Sequence, residues 1–378
     1  MGRIDAVRDH VFLFSLLERN GGKGIDGSFT SLGPDPYHRV TSLQQPCPGC
    51  EVHRNHGGRI AHNIVRMNGE LHCEAAENAA IKTHGFSGVV EANLIVANEH
   101  EKGMWFDDLW WNLTVSRNVI IRNGNSKMCF TPRTSTWATC SGIQFEISTG
   151  PGICTDNIIV GNAGSGILQF DSNNLTVLNN LIANNAAGFA GDNSGAGDNI
   201  AMEFQACSTR QYNENRWENG TMPSVVWPSY GCGQPPTFET ATFKNWLISG
   251  NILGGGATTG GWLFVNAGSG CKHICNNTAT ANVVAGQNRT NSELVAEHNN
   301  TATTVNASLD VEKMELWLTI GGTELVRSRT PVLAANAVDF FGQSRPTGGL
   351  VVAGPFESLV PGKENVFKLW PIYSQNKL

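Results

Sequence analysis

The sequence predicts an all-β protein built as a right-handed parallel β-helix (a solenoid) with a β-rich C-terminal extension. Glycine accounts for 43 of the 378 residues and asparagine is also frequent, although both disfavour helices and ordinary strands. A short apolar segment followed by asparagine recurs along the middle of the chain. A second segment, with strict two-residue alternation, recurs with it. Strand-length repeats with turn residues at their corners are typical of stacked coils.

The first repeat places asparagine after a short apolar segment and again five residues later. Its clearest copies are Val90–Asn98, Val115–Asn123, Cys154–Asn162 and Val177–Asn185, with fainter copies ending at Asn251 and Asn277. The unit is ~23 to 26 residues long, with insertions in two units. Asparagine can adopt left-handed backbone angles at a corner, and stacked amides can hydrogen-bond along the axis, so we expect asparagine ladders. An antiparallel sandwich would instead show hairpin turns at roughly 8- to 12-residue spacing.

These repeats predict three regions. We expect residues 1–54 to form an irregular N-terminal segment and residues 55–305 to form the β-helix. Residues 306–378 should form a β-rich extension that packs on the helix.

The second repeat contributes one strand to each coil, and its alternation predicts which side chains face outward. The six segments are Ile81–His84, Met104–Asp107, Ile143–Glu146, Leu168–Asp171, Met202–Gln205 and Leu263–Asn266. Their first and third residues should face the interior, and their second and fourth residues should face outward. The two outward columns are therefore Lys82, Trp105, Gln144, Gln169, Glu203 and Phe264, and His84, Asp107, Glu146, Asp171, Gln205 and Asn266.

Three carboxylates follow one another in the second column, namely Asp107, Glu146 and Asp171. On neighbouring strands they would lie about 4.8 Å apart, where like charges destabilise one another. Each charge should raise the pKa of its neighbours, most of all that of the central Glu146. A carboxylic acid that stays protonated near neutral pH can act as a general acid.

Carboxyl groups on adjacent coils would suit the ~5 to 5.5 Å separation of a retaining glycosidase, so Asp107 and Glu146 are the candidate catalytic residues. Asp107 with Asp171, two coils apart, would instead approach the ~6.5 to 9.5 Å of an inverting enzyme. A calcium site is an alternative, because carboxylate oxygens are hard ligands, and a solvated acidic stripe is another. Otherwise no cofactor and no metal site are expected.

Polar and aromatic neighbours complete the predicted substrate site. The indole of Trp105 could stack on a sugar ring, whereas Trp110 and Trp111 could equally pack under the following turn. Lys82 and His84 could bind a sugar hydroxyl or hold the Asp107 carboxylate ionised. The predicted substrate-binding residues are Lys82, His84, Trp105, Gln144, Gln169, Asp171 and Glu203.

Composition limits the partners and the compartment. The net charge of -6 argues against binding to nucleic acid or to an anionic membrane, and no apolar run is long enough to span a bilayer. An oligosaccharide or polysaccharide is the expected partner, and the oligomeric state stays open. Ten cysteines favour disulfides in a secreted, extracellular protein over buried free thiols.

Several segments resemble a known family. Ala80–His84, Gly103–Asp107 and Gly142–Ser148 resemble, in order, consecutive coil motifs of β-helix glycoside hydrolases related to the β-xylosidases of glycoside hydrolase family 120, in the pectate-lyase-like superfamily. The tail segments Asp339–Gly342 and Ala353–Phe356 are similar to that group's C-terminal extension. The resemblance implies that Asp107 is the nucleophile and Glu146 the acid/base. This chain departs from the family by an insertion between the two coils, from Asn125 to Cys140.

The predicted function is therefore that of a retaining glycoside hydrolase, xylosidase-like, acting on a plant or algal-type glycan. A polysaccharide lyase or uronate epimerase on the same fold is the first alternative, with Lys82 as the only strong outward basic candidate. A non-catalytic solenoid that binds glycans is the second.

Overall fold

The computed structural model describes most of the repeating core and of the C-terminal extension. It covers residues 4–5, 11–13, 16–18, 25–28, 58–68, 79–84, 86–99, 102–107, 110, 112–124, 140–146, 151–170, 172, 174–185, 200–204, 242–244, 246–254, 263–267, 273–275, 277–285, 296–322, 327–328, 331–347 and 349–369. For some strand residues, His84, Phe170 and Glu203 among them, the backbone alone is described. None of the described residues form a helix long and apolar enough to cross a membrane.

Three parallel sheets form the walls of the solenoid. The first contains Ile4–Asp5, Ile25–Ser28, Ala79–His84, Lys102–Asp107, Ile143–Glu146, Ile167–Phe170, Ile200–Phe204 and Leu263–Ala267. The second contains Val11–Leu13, Gly58–Ala61, Gly88–Glu91, Leu113–Ser116, Gly152–Thr155, Leu175–Leu178, Leu247–Ser249, Thr278–Thr280 and Ala296–His298. The third contains Leu16–Glu18, Ile64–Arg66, Leu94–Val96, Val119–Ile121, Ile158–Val160, Leu181–Ala183, Ile252–Gly254, Val283–Val284 and Thr301–Ala302.

Each coil contributes one strand to each sheet, and like residues stack along the axis. In the second sheet Val115 pairs with Val90 on the coil before and with Cys154 on the coil after. All three are fully buried members of the interior core. Removing such stacked apolar side chains from water is the main force that holds one coil on the next. The chain is therefore an all-β parallel β-helix, as the sequence predicts.

Two asparagine ladders run along the corners on either side of the third sheet. The first ladder is Asn63, Asn93, Asn118, Asn157, Asn180, Asn251, Asn282 and Asn300, with each amide nitrogen donating to the next side-chain oxygen at 2.9 to 3.0 Å. The second is Asn68, Asn98, Asn123, Asn162 and Asn185, at 2.8 to 3.0 Å. The expected hydrogen bonding of stacked amides along the axis is confirmed.

Two details of the ladders differ from expectation. The left-handed residue is the one before each ladder asparagine, for example Arg117 (φ 54°) before Asn118, and asparagine itself takes that corner position at Asn179 (φ 51°) and Asn184 (φ 54°). The rung after Asn251 is Asn282, whereas the Asn277 side chain accepts from the backbone N–H of Trp246.

The N-terminal segment also differs from expectation. Within residues 1–54, Ile4–Asp5, Val11–Leu13, Leu16–Glu18 and Ile25–Ser28 add strands to all three sheets. These residues are therefore strands of the parallel sheets and not irregular. In sequence, Ser15 and Asn20 stand at the positions of the two asparagine columns, so only one of the two marks of the repeat is present and a search for both does not reveal these strands.

The C-terminal extension covers the outer side of the third sheet. It contains an antiparallel sheet of Val305–Asp310, Glu315–Ile320 and Glu364–Lys368, the short pair Arg327–Ser328 and Val351–Val352, and a 3-10 turn at Ala334–Asn336. Outside the extension, Thr242–Lys244 and His273–Cys275 form a separate two-stranded parallel sheet. A second apolar cluster joins Ile121 and Ile158 of the third sheet to Phe340, Phe356 and Phe367 of the extension.

The extension also forms an ion pair and hydrogen bonds with the corner between the second and third sheets. The guanidinium of Arg345 pairs with Asp156, and both side chains are fully buried. Asn336 donates to Asn179 at 3.1 Å, and the N–H of Gly354 donates to the carbonyl of Gly250 at 2.7 Å. Asp156, Asn179 and Gly250 are corner residues with positive φ on three successive rungs. The extension therefore follows the axis across three coils.

Cys154 is a free thiol, buried in the interior. Burial raises its pKa, and the thiol lies 3.3 Å from the amide nitrogen of Asn157. The expectation that the cysteines are paired is therefore wrong for Cys154, because its stacking position between Val115 and Val177 selects a small apolar side chain. Cys140 is disulfide-bonded, as expected, and disulfides among the remaining cysteines stay a prediction.

Candidate active site

The candidate site lies on three neighbouring strands of the first sheet. Lys102–Asp107 pairs in parallel with Ala79–His84, with Trp105 opposite Lys82 and Asp107 opposite His84. On its other side it pairs with Ile143–Glu146, with Phe106 opposite Phe145. Both strands end one residue later, so this register places Asp107 beside Glu146. Adjacent strands lie about 4.8 Å apart.

Stacked glycines set this register. A Cβ on Gly103 would lie 2.5 Å from the carbonyl oxygen of Gly142, and a Cβ on Gly142 would lie 2.6 Å from that of Gly166. Real Cβ atoms do not approach a backbone so closely, so only glycine allows these coils to stack at this point. Each glycine directly precedes the first core residue of its strand, and Met104, Ile143 and Ile167 stack accordingly.

The alternation separates a core side from an outer side. Met104, Phe106 and Phe145 belong to the interior core. Trp105 belongs to neither apolar cluster, which places it on the outer side with Asp107. Lys82, Trp105, Gln144 and Glu146 are nevertheless at most 2% exposed, as is Asp107. The outward direction agrees with the sequence, but the polar wall is buried and not open to solvent.

Asp107 forms a buried ion pair. Its Oδ2 lies 3.1 Å from the Nζ of Lys82, and the two side chains are 2% and 0% exposed. The same Nζ lies 3.3 Å from the centroid of the Trp105 ring, and the Nζ of Lys102 lies 3.9 Å from it. These contacts suit ammonium cations, since both the carboxylate and the indole face attract positive charge. Both side chains are buried, so the attractions are less screened than at a surface.

Glu146 has a different neighbour. The Nε2 of Gln144, two residues earlier on the same strand, donates to its Oε2 at 2.7 Å. An amide N–H can donate to a carboxylate or to the carbonyl oxygen of a neutral carboxylic acid. Gln144 therefore orients Glu146 without requiring it to be charged, whereas Lys82 favours a charged Asp107.

The column beyond Glu146 differs from the expected one by one residue. The structure pairs Gln144 with Leu168 and Glu146 with Phe170. The sequence predicts that Gln144-Phe145 aligns with Gln169-Phe170, but the stacking of Gly142 on Gly166 places each residue of the later strand one position further along. Glu146 therefore has the carboxylate residue Asp107 beside it on one neighbouring strand and Phe170 opposite it on the other. The expected row of three carboxylates is wrong. Asp171 lies outside the described residues.

Gln169 faces the interior. It pairs with Phe145 and lies two residues after the core residue Ile167. Its amide donates to the carbonyl of Ser172 at 2.7 Å, and the indole N–H of Trp246 donates to the same oxygen at 3.2 Å. Its assignment to a substrate-binding column on the outer side is therefore wrong, for the same reason of register.

The remaining predicted residues are placed only in part. By register Glu203 follows Phe170, in the column of Asp107 and Glu146 and not in that of Lys82. The side chains of His84 and Glu203 lie outside the described part of the chain, as do Trp111 and the Phe264 side chain. Trp110 is a core residue, fully buried with its ring edge-on to Phe145 at 5.6 Å.

Lys102 lies at the site, although the sequence pattern does not predict it. It begins the strand, 3% exposed, and its ammonium approaches the ring of Trp105. Its parity along the strand assigns it to the core side, so alternation alone gives no reason to select it. A lysine three residues before an outward tryptophan is the only available signal. Among the described residues no group of three or more His, Cys, Asp or Glu could hold a metal ion.

No protein-family model matches the chain, and no curated protein matches it. The chain is similar to the solved complex of XylC with xylose, at 16% identity and a TM-score of 0.49, over 96% of this chain and 52% of that one. It is also similar to the periplasmic alginate epimerase AlgG, at 15% identity and a TM-score of 0.41, over 80% and 47% of the two chains. The chain therefore spans about half the length of each of these proteins.

Proposed function

We propose that the protein is a retaining glycoside hydrolase in which Asp107 is the nucleophile and Glu146 is the acid/base. The observation that carries this proposal is the register that sets the two residues side by side on adjacent strands, each with a partner of different charge. A spacing of about one strand suits the ~5 to 5.5 Å between the carboxyl groups of retaining enzymes. The likeness of the three coil motifs to family 120 β-xylosidases supports the same assignment.

In the first step the Asp107 carboxylate attacks the anomeric carbon, and the bond to the leaving oxygen breaks as Glu146 transfers its proton to that oxygen. In the second step Glu146 takes a proton from water, and the water oxygen replaces Asp107 at the same carbon. Two displacements return the original anomeric configuration. The protein ends with Asp107 ionised and Glu146 protonated, ready for another cycle.

The neighbours of the two carboxyl groups suit these different roles. A nucleophile must be ionised, and Asp107 has the ammonium of Lys82 at 3.1 Å. A general acid must hold a proton, and Glu146 has the neutral amide of Gln144 at 2.7 Å. Placing the proton on Asp107 instead would give up the attraction between its carboxylate and the Lys82 ammonium, which is the less favourable arrangement.

Lyase or epimerase chemistry fits these residues less well. It requires a base that removes a proton from a uronic acid, and Lys82 is the basic candidate among the described outward side chains that adjoin Asp107. Its ion pair with Asp107 and its contact with Trp105 suit the ammonium form, which has no lone pair to accept a proton. Lys82 is therefore better suited to holding Asp107 than to acting as a base.

A xylosidase-like activity on a plant or algal-type glycan is the proposed specificity, drawn from the motif resemblance. We also propose that the protein acts outside the cytosol, since ten cysteines in one chain suit an oxidising compartment.

The test uses aryl glycosides of graded leaving-group ability, with xylosides first. NMR of the first product should show the anomeric configuration of the substrate. Glu146→Gln should lose at least 10²-fold in kcat/KM on a poor leaving group, the typical size of general acid catalysis, and less on an activated one that needs no proton. Asp107→Asn should lose turnover of both substrates.

Glu91→Gln is the matched control, because it makes the same chemical change at a glutamate of the second sheet that pairs with Arg59 and Arg117. It should keep near wild-type rates. An inverted first product would contradict the two-step mechanism, and equal mild losses on both substrates in Glu146→Gln would remove its role as the acid.

A further inference from the structure

The indole of Trp105 was expected to stack on a sugar ring, but its environment indicates another role. The side chain is 1% exposed. Its ring has one ammonium, that of Lys82, at 3.3 Å from the centroid and a second, that of Lys102, at 3.9 Å. A face in contact with a cation at this distance is not available to a sugar, which would have to displace a strongly bound charge.

Lys82 is the residue through which Trp105 reaches the reacting groups. The register sets Lys82 directly opposite Trp105, and Asp107 lies two residues further along the strand of Trp105. Diagonal neighbours of this kind are within reach of a long side chain. The Nζ of Lys82 therefore lies between two groups that attract it, the indole face at 3.3 Å and the Asp107 carboxylate at 3.1 Å.

We propose that Trp105 is a positioning residue that holds the Lys82 ammonium against Asp107, and that this buried Trp–Lys–Asp arrangement keeps the carboxylate ionised and correctly aimed. A lysine has four flexible bonds and loses much rotamer freedom when it is fixed, so a rigid aromatic surface lowers the cost of fixing it at the carboxylate. The inference rests on the proposed function for its catalytic meaning, but the arrangement itself can be tested without any turnover.

Several charged or titratable groups near Asp107 could influence its titration, and the test must separate the effect of Lys82 from that of the others. They are Lys82, whose ammonium contacts the carboxylate, and Glu146 on the strand after; the backbone of His84 lies opposite in register, and Lys102 contacts the Trp105 ring. Loss of a nearby cation makes ionisation of a carboxyl group harder, so its titration moves to higher pH. Changes at Trp105 should therefore move the titration of Asp107 through Lys82, whose Nζ contacts both groups.

The first measurement follows the carboxyl carbon of Asp107 by ¹³C NMR across pH, with the signal assigned by its absence in Asp107→Asn. Lys82→Met should move the titration to higher pH. Trp105→Leu should move it in the same direction by on the order of one pH unit, a tenfold change in the ionisation constant and the size expected of a desolvated cation–π contact. Trp105→Phe, which keeps an aromatic face, should move it less.

Two controls separate positioning from general loss of packing. Trp246→Leu removes an equally buried indole elsewhere in the solenoid and should leave the titration of Asp107 unchanged. Adding Trp105→Leu to Lys82→Met should move the titration no further, since the ammonium is already gone. A titration unchanged by Trp105→Leu, or a further shift of similar size in the double variant, would overturn the inference.

Kinetics then distinguish the inference from the proposed function. If aryl glycosides are hydrolysed, Trp105→Leu should lower kcat about tenfold and move the acidic limb of kcat/KM upward with the NMR titration. A sugar platform would instead raise KM and leave the acidic limb in place, which would contradict the positioning role. If no glycoside is hydrolysed, the proposed function fails, while the NMR titrations still decide whether Trp105 holds Lys82.

Discussion

The first asparagine ladder offers a sharp test of what holds the coils together, and Asn118 is a suitable rung because it is fully buried. Its side-chain oxygen accepts from the backbone N–H of Asn93 at 3.0 Å and from the Asn93 amide at 2.9 Å. Its amide nitrogen donates to the carbonyl of Val90 and to the side-chain oxygen of Asn157, both at 2.9 Å. Asn118→Ala removes four hydrogen bonds at once.

The expected cost follows from the groups left behind. Two donors on Asn93, its backbone N–H and one amide hydrogen, lose their partner inside the solenoid. An unsatisfied buried group costs about 1–3 kcal/mol, so the free energy of unfolding should fall by about 2–6 kcal/mol. Asn157 keeps the backbone N–H of Asn118 as a donor to its side-chain oxygen at 3.0 Å, which limits the damage on that side.

Asn300 at the last rung is the matched control. It accepts from the backbone and the amide of Asn282 at 3.1 and 3.0 Å, but these bonds are only partly buried. Water can replace the lost partner there, so Asn300→Ala should cost about 1 kcal/mol or less. Urea unfolding followed by far-UV circular dichroism measures both variants. Equal costs for the two rungs, or a cost below about 1 kcal/mol at Asn118, would refute the account of the ladder.

Two further predictions concern the register and the extension. Gly142→Ala should lower the free energy of unfolding by about 1–3 kcal/mol and lower activity with it, because the new Cβ would lie 2.6 Å from the Gly166 carbonyl oxygen. Gly349→Ala, where the nearest atom would be 3.2 Å from the new Cβ, is the control. A wild-type urea midpoint in Gly142→Ala would contradict the steric argument. Burial raises the pKa of Asp156 from 3.8 to about 7, with the Arg345 guanidinium opposing it. A raised folded-state pKa gives stability that is present below 3.8 and lost as pH rises through about 7, on the order of 4 kcal/mol. Urea midpoints between pH 4 and pH 8 should therefore fall more steeply with pH in wild type than in Asp156→Asn, and parallel curves would show that Asp156 does not titrate in this range.

The sequence predicts the fold because its signals are local and repeated. Asparagine at positions such as 93, 118 and 157 and alternation at 104–107 and 143–146 each recur at the same place in a coil, and stacking adds their effects. The segment from Asn63 to Asn68 has the same spacing and could have been found by the same search. The strands before residue 54 carry only one of the two asparagines in sequence, Asn20, with serine at position 15, so the paired spacing does not mark them.

The candidate site is predictable only as far as the register is. Asp107 and Glu146 each lie four residues after a glycine, Gly103 and Gly142. Aligning the two motifs therefore gives the same strand register as the structure. The next strand does not follow this alignment, because Gly166 precedes an extra apolar residue and moves Gln169 to the interior. The two-residue alternation assigns Lys102 to the core side, so it does not predict the contact of Lys102 with Trp105. The burial of the outward side chains depends on contacts that the repeat does not encode.

The bonds of the extension to Asp156, Asn179 and Gly250 have a consequence for how the molecule comes apart. An isolated solenoid can fray, losing terminal coils one at a time, since each coil contacts only its neighbours. Here the C-terminal extension contacts three consecutive coils in the middle of the stack, so those coils can unfold only after their contacts with the extension are broken. Limited proteolysis of the native protein should therefore yield a resistant central fragment that retains the C-terminal extension, and not a graded series of shortened stacks.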